Sequence, residues 1–419
     1  MPAHAAPADE LRALVDANKG EAAYQYGSAH PEELGQPAFD FYFGIAAIDS
    51  GHAGEGVLAL ERYILQFPDN ANARAQLARG YFVLGDDARA RQEFEDLLRT
   101  KPPEPVVAVI ERYLNALKGR EGSYKTTSSA YVETGLGYDT NANSGASGPN
   151  VNVPVFGLVT LLPAGVHVAT FFNSMSAGGQ ITQPLAPGFA VFGGVAIDSK
   201  QNFRNTAQAY NLLTYGGNGG LTYLKDSNLF RLTGSLSEVE LNGLRFIDSS
   251  ALTAEWTRQL DELQTLTPSL QYADLRYPTQ PVRDSAITSL GLAYRRAFAH
   301  PWQPVLSVSG AYGEERNTRA VNLGRRISSV RVAGGVAPWP KWVLSAGVTY
   351  QESQYRGPEP FLLTTRHDRY GGVDVQLAYQ LTRNLSIRGE LNVVANHSNV
   401  GLYAYDRDVM AVKLRYEFK

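Results

Sequence analysis

The chain has 419 residues, a formal net charge of −3 and no cysteine. That length leaves room for two or three domains, and the missing thiols exclude a disulfide scaffold, thiol catalysis and cysteine metal sites. The near-neutral balance excludes a strongly basic nucleic-acid footprint, and no apolar run is long enough to cross a membrane as a helix.

Residues 1–7, Met1-Pro2-Ala3-His4-Ala5-Ala6-Pro7, read as a flexible start or signal remnant. Ala3-His4-Ala5 has the small-x-small form of a leader cleavage site, with Met1 an added initiator on a mature envelope protein. The alternative is a chance alanine-rich terminus.

Residues 8–118 are helical in pattern. Phe43, Gly44, Ala47, Gly51, Gly56, Leu60 and Pro68 are matched 34 residues later by Leu77, Ala78, Tyr81, Gly85, Ala90, Phe94 and Pro102. This register resembles a tetratricopeptide repeat. The glycines are expected to end the first helix of each pair, and the prolines to stop the second. Asp40 and Arg74 depart from the family, which often has Trp there. A degenerate helix pair over 8–17 and 20–29 precedes these repeats, and one more helix over 104–118 comes after them. About three units suffice for a stable stack. Such a stack offers a groove for a protein client or a periplasmic chaperone, with Tyr42, Arg74, Tyr81 and Arg89 as candidate contacts. The alternative is a helical domain that only braces or plugs the C-terminal part of the chain.

Residues 119–129 read as a linker, and 130–419 as a transmembrane antiparallel β-barrel of about fourteen strands. In the closing segment Met410, Val412, Leu414, Tyr416 and Phe418 share one face, while Ala411, Lys413, Arg415 and Glu417 share the other. Apolar residues backed by charged and small ones suit a strand between lipid and a wet lumen. Connections are expected to alternate between short turns (184–188, 225–228, 261–263, 299–303, 337–341, 382–384) and long loops (139–167, 198–205, 239–248, 275–284, 314–326, 353–366, 396–405). That alternation favours an outer-membrane barrel over a Greek-key sandwich. Abundant Tyr (23) suits the aromatic girdles at the two interfaces.

The first long connection carries an apolar run, Val155 to Leu162, with three fates open: the lumen, an extra strand pair, or a ligand contact. The lumen parity of the strands collects Glu133, Arg231, Glu255, Arg295, Arg331, Asp374, Arg388, Glu390, Lys413, Arg415 and Glu417. Both signs are present, which argues against a strongly charge-selective pore; mutual pairing that stabilises the lumen is the plain alternative. The seven histidines are scattered, and no nucleophile elbow or phosphate loop occurs, so neither an enzyme nor a cofactor is expected. Gly216-Gly217-Asn218-Gly219-Gly220 reads as closely packed or flexible barrel wall, and Arg366-His367-Asp368-Arg369 as a solvated loop end.

At the barrel entrance, Gly135-Leu136-Gly137-Tyr138-Asp139-Thr140-Asn141-Ala142-Asn143 resembles the Gly-Tyr-Asp-x-Asn-x-Asn start of the barrel in the surface lipoprotein assembly modulator family. Helical repeats leading into a barrel of about fourteen strands match that family over nearly the whole chain, although the helical domain is short here. The resemblance implies a translocator that moves a surface lipoprotein or a secreted haem-binding-type protein across the outer membrane. It also implies a monomeric barrel in lipid with the helices in the periplasm. The second reading is an exopolysaccharide export porin or a small-solute porin.

Overall fold

The structure, a computed structural model, describes residues 6–121, 125–153, 156–261 and 263–418. Residues 1–5 of the expected signal remnant, 122–124 of the expected linker, Val155 of the apolar run, position 262 of one turn and Lys419 lie outside the described residues. The chain forms two compact units, Met1–Glu121 and Gly122–Lys419.

The first unit is all-α: α1 (Pro7–Asp16), α2 (Gly20–Ser28), a short turn at Pro31–Glu33, α3 (Pro37–Asp49), α4 (Ala53–Gln66), α5 (Ala71–Leu84), α6 (Asp87–Arg99) and α7 (Glu104–Glu121). Gly51 and Gly85 take positive φ values of 87° and 78° just past α3 and α5, a conformation an L side chain resists. Asn70 and Asp86 cap the starts of α5 and α6 by accepting the amides of Ala73 and Arg89 at 3.0 and 3.1 Å. One core joins Leu11, Phe39 and Phe43. A second joins Ile48, Leu60, Leu77, Tyr81, Phe94 and Ile110. Asp40 is buried in a two-bond pair with Arg62 at 2.6 and 3.0 Å.

Gly44 and Gly56 let α3 and α4 touch backbone to backbone. A Cβ on Gly56 would stand 2.7 Å from the Gly44 carbonyl oxygen and 3.1 Å from the Ile48 nitrogen. Gly56→Val therefore pushes the helices apart, at an overpacking cost of about 1–3 kcal/mol. The far-ultraviolet helical signal of the full chain should melt several degrees lower. Gly54→Ala, which meets open space, should leave that melting unchanged; equal behaviour of the two variants would refute the close approach.

The second unit is a closed barrel of fourteen antiparallel strands. They are β1 (Thr127–Asp139), β4 (Thr170–Ala186), β5 (Phe189–Asn202), β6 (Leu212–Lys225), β7 (Asn228–Leu241), β8 (Leu244–Gln259), β9 (Gln264–Arg276), β10 (Ser285–Ala297), β11 (Val305–Asn317), β12 (Arg325–Val336), β13 (Trp342–Pro358), β14 (Thr365–Gln380), β15 (Leu385–Ser398) and β16 (Tyr405–Phe418). β1 starts at Thr127, inside the segment expected as linker. The seam pairs β1 with β16, from Ala130 opposite Phe418 to Asp139 opposite Val409. Closure leaves no open sheet edge, as a lipid environment requires. Val132, Leu136, Leu232, Leu290, Val348 and Val412 are exposed on one parity, and such apolar residues recur around the barrel as a band that suits lipid.

The long connections contract. The segment expected at 239–248 is a two-residue turn, Asn242-Gly243, with φ values of 50° and 76°. Most of 353–366 is strand, belonging to β13 and β14, and β5 runs through to Asn202. The ladder continues past the apolar band, where outward residues turn polar and read as loop in the sequence. Connections on the loop rim are 140–169, 203–211, 242–243, 277–284, 318–324, 359–364 and 399–404. Those on the turn rim are 187–188, 226–227, 260–263, 298–304, 337–341 and 381–384. Beyond the first loop, the two rims differ little in length. Within that loop the apolar run contributes to an extra strand pair outside the barrel, β2 (Asn150–Val153) and β3 (Gly157–Thr160). Val151 is buried, whereas Phe156 and Leu158 are exposed.

Candidate functional site

The barrel interior is the candidate site. All eleven charged residues expected at the lumen stand on the parity opposite the exposed apolar residues. Six meet beside the seam. Lys413 lies 2.8 Å from Glu390 and 3.5 Å from Glu133. Arg388 reaches Glu133 at 3.4 Å and Glu417 at 3.6 Å, while Arg415 reaches Glu417 at 3.2 Å and Glu133 at 3.8 Å. Three carboxylates face three cations, so the cluster is neutral. Arg331 makes a separate two-bond pair with Asp374 at 2.6 and 3.0 Å, steadied by the Thr349 hydroxyl at 2.8 Å. Arg231 lies over Phe192 at 5.0 Å and opposite Glu255 in the register. Arg295 is exposed nearer the turn rim.

A second assembly packs the loop-rim end. Asp139 is fully buried between Lys200 and Arg407, with Arg407 at 2.7 and 3.1 Å. Arg366 is held by Asp368 at 2.5 Å and lies over Tyr355 at 4.6 Å and Tyr403 at 3.5 Å. Arg325 bonds Glu315 at 2.7 Å, and Glu315 accepts Ser285 at 2.8 Å. The expected solvated loop end at Arg366-His367-Asp368-Arg369 is therefore corrected. It is strand, and its lumen-parity members Arg366 and Asp368 are interior. Every buried polar residue of the barrel except Ser386 lies at this end, among the described residues. Towards the turn rim, interior Gln180, Arg231 and Arg295 stay exposed. Lys200 escapes a reading of the sequence because it falls in the loop expected at 198–205, and Arg407 because it falls between the loop expected at 396–405 and the closing strand read from Val409, although both carry the lumen parity.

The junction motif fastens the top of the seam. Thr140 accepts the Asp408 amide of β16 at 2.8 Å. Asn141 donates to the Gly145 and Asp406 carbonyls, both at 2.9 Å, and accepts the Gly145 amide at 2.8 Å. Asn143 donates to the Val166 carbonyl at 2.8 Å and accepts the Val168 amide at 2.9 Å. Asp and Asn suit this work because a short side chain reaches neighbouring backbone groups.

No family model matches the chain. No curated protein matches it either. Solved structures that it matches are outer-membrane β-barrel proteins. They include OmpT of Vibrio cholerae (9% identity, TM-score 0.40, 70% of this chain and 97% of that one). An anion-selective porin from Comamonas acidovorans is another (9%, 0.39, 70% and 99%). A bacterial polysaccharide outer membrane secretin is a third (9%, 0.36, 69% and 98%). At such identities and TM-scores these likenesses say nothing of what this barrel carries, and the assembly-modulator family is not shown.

Against the wall of β4 to β7 the interior is smooth. A cavity of about 490 Å³ is lined there by Gly194, Gly216, Asn218, Asp198 and, from the seam, Tyr131 and Arg415. The glycine-rich segment 216–220 sits inside β6, as wall.

In the helical unit the candidate contacts are mostly committed internally. Tyr81 is buried and donates to Glu61 at 2.5 Å, while Arg89 lies over its ring at 4.5 Å. Burial first, and Glu61 second, push its hydroxyl pKa up to about 12. Tyr81 is thus a core residue, which corrects its assignment as a partner contact. Arg74 bonds the Pro68 carbonyl at 2.6 Å and Glu93 at 2.9 Å. Tyr42 is half-buried against the first core. Arg89, paired with Asp86 at 2.6 Å, keeps more than half of its side chain exposed.

Proposed function

We propose that the chain is a monomeric outer-membrane conduit, closed at rest, that passes a protein client received by the helical unit on the periplasmic side. The observation that carries this is the uneven interior: among the described residues its fully buried polar side chains, Ser386 apart, gather at the loop rim, while the turn-rim half holds the neutral cluster beside the seam and exposed Gln180, Arg231 and Arg295. β1 begins and β16 ends at the turn rim. In barrels of this kind that rim faces the periplasm. Leu58 and Leu65 of α4, seven residues apart and exposed, give the helical unit an apolar face for a client or chaperone. Neutral pairing in the interior suits passage of a chain with mixed charges. A polysaccharide conduit would want free aromatic platforms along the lumen, whereas Tyr355 and Tyr403 are occupied by Arg366. The role is transport, with no catalytic step.

The test compares a strain lacking the chain with its parent. Loss of a surface protein, with that protein accumulating in the periplasm, is the expected result. Normal surface proteins with lost extracellular polysaccharide would overturn the client reading. Normal levels of both, with slower small-solute uptake, would make it a porin.

A further inference from the structure

On the outward face, Tyr312 of β11 and Tyr350 of β13 are half exposed at the upper edge of the apolar band, above Val330 and Val348. The next outward positions towards the loop rim differ around the barrel. On β7 to β9 they are Glu238, Glu240, Asp248 and Asp274 with Arg245 and Arg276. On β16 they are Asp406 and Asp408. On β11 to β14 the balance reverses: Arg316, Arg326, Arg356 and Arg369 stand against Glu314 and Glu352, with His367 on β14 and His397 beyond it on β15. Glu314 takes Arg316 at 2.6 Å and also Arg356. Glu352 takes His367 at 2.7 Å. Arg326 and Arg369 are exposed and form no ion pair among the described residues, although each sits across from one of those carboxylates.

We infer that this sector of β11 to β14, centred on Arg326 and Arg369, binds the phosphate groups of an anionic lipid in the outer leaflet. The inference rests on the barrel spanning a membrane with its loop rim outward. At that height, just above a tyrosine girdle, a lipid presents its headgroup. Four strands spaced at about 4.8 Å make a sector about 15 Å wide, enough for a headgroup bearing two phosphates. Arginine is the fitting residue, since its planar fork takes phosphate oxygens two at a time and is weakly hydrated. A freely diffusing anion would have no reason to select the margin of a lipid-facing wall, so the lipid is the occupant.

The test uses the full chain refolded into phosphatidylcholine vesicles, with or without lipid A, and reads the temperature at which heat-modifiable mobility is lost. Lipid A should raise that temperature by several degrees, and dephosphorylated lipid A should not. Arg326→Gln with Arg369→Gln should remove most of the gain, and Arg276→Gln on the acidic side should keep it. An undiminished gain in the double variant, or an equal gain from inorganic phosphate, overturns the lipid site. Absence of any heat-modifiable form in plain phosphatidylcholine overturns the membrane reading itself, and is visible before lipid A is added.

Discussion

Asp139→Ala is expected to destabilise the barrel by about 3–5 kcal/mol, the usual cost of removing one partner from a buried ion pair. Asp139 has no exposed surface, and its two oxygens serve Lys200, Arg407 and the Asn141 amide. Without the carboxylate, two cations from β5 and β16 remain close together with nothing between them. The site is also where β1 meets the first residues of the motif loop, so repulsion there loosens the seam. The folded fraction in unboiled electrophoresis should fall, and the urea midpoint in vesicles should drop. Adding Lys200→Met to Asp139→Ala removes one stranded charge and should restore part of the loss. A midpoint that does not move for Asp139→Ala would show that the triad contributes nothing to closure.

Much of the barrel was legible because a strand between lipid and lumen must alternate, and Met410 to Phe418 alternates without a break. The interior side of that rule also located Glu133, Lys413 and Arg415, which meet because adjacent strands keep register. What was not legible begins where the lipid ends. Outward Glu240, Arg245 and Asp248 fall in the segment expected as loop, yet the backbone ladder holds them in strands. Asp139 and Arg407 lie 268 residues apart, and only ring closure makes them neighbours. Tyr81 illustrates a different limit: the same tyrosine that fits a repeat pattern is a core residue there, so pattern alone could not make it a contact surface.

The largest functional change is expected from Arg366→Ala, which should turn a silent barrel into a conducting one. Arg366 ties three segments at the loop rim: β13 through Tyr355, β14 through Asp368, and the 399–404 connection through Tyr403. Tyr403 in turn bonds Glu359 of the neighbouring connection at 3.3 Å, and its carbonyl accepts Asn396 at 2.7 Å. One guanidinium thus links two connections at the loop rim. A desolvated cation–π contact is worth about 2 kcal/mol, and two of them are lost together with the ion pair. Since 1.4 kcal/mol is a factor of ten, the open fraction should rise by more than about tenfold. In planar bilayers the parent chain should show rare openings and the variant frequent ones. The opened pore should pass potassium and chloride with little preference, because the six charges beside the seam cancel. Arg296→Ala, at a ring on the turn rim (Phe298, 5.0 Å), should stay silent. A parent barrel that already conducts like an open pore, or an Arg366→Ala barrel that folds and stays silent, would remove the loop-rim network as the closure.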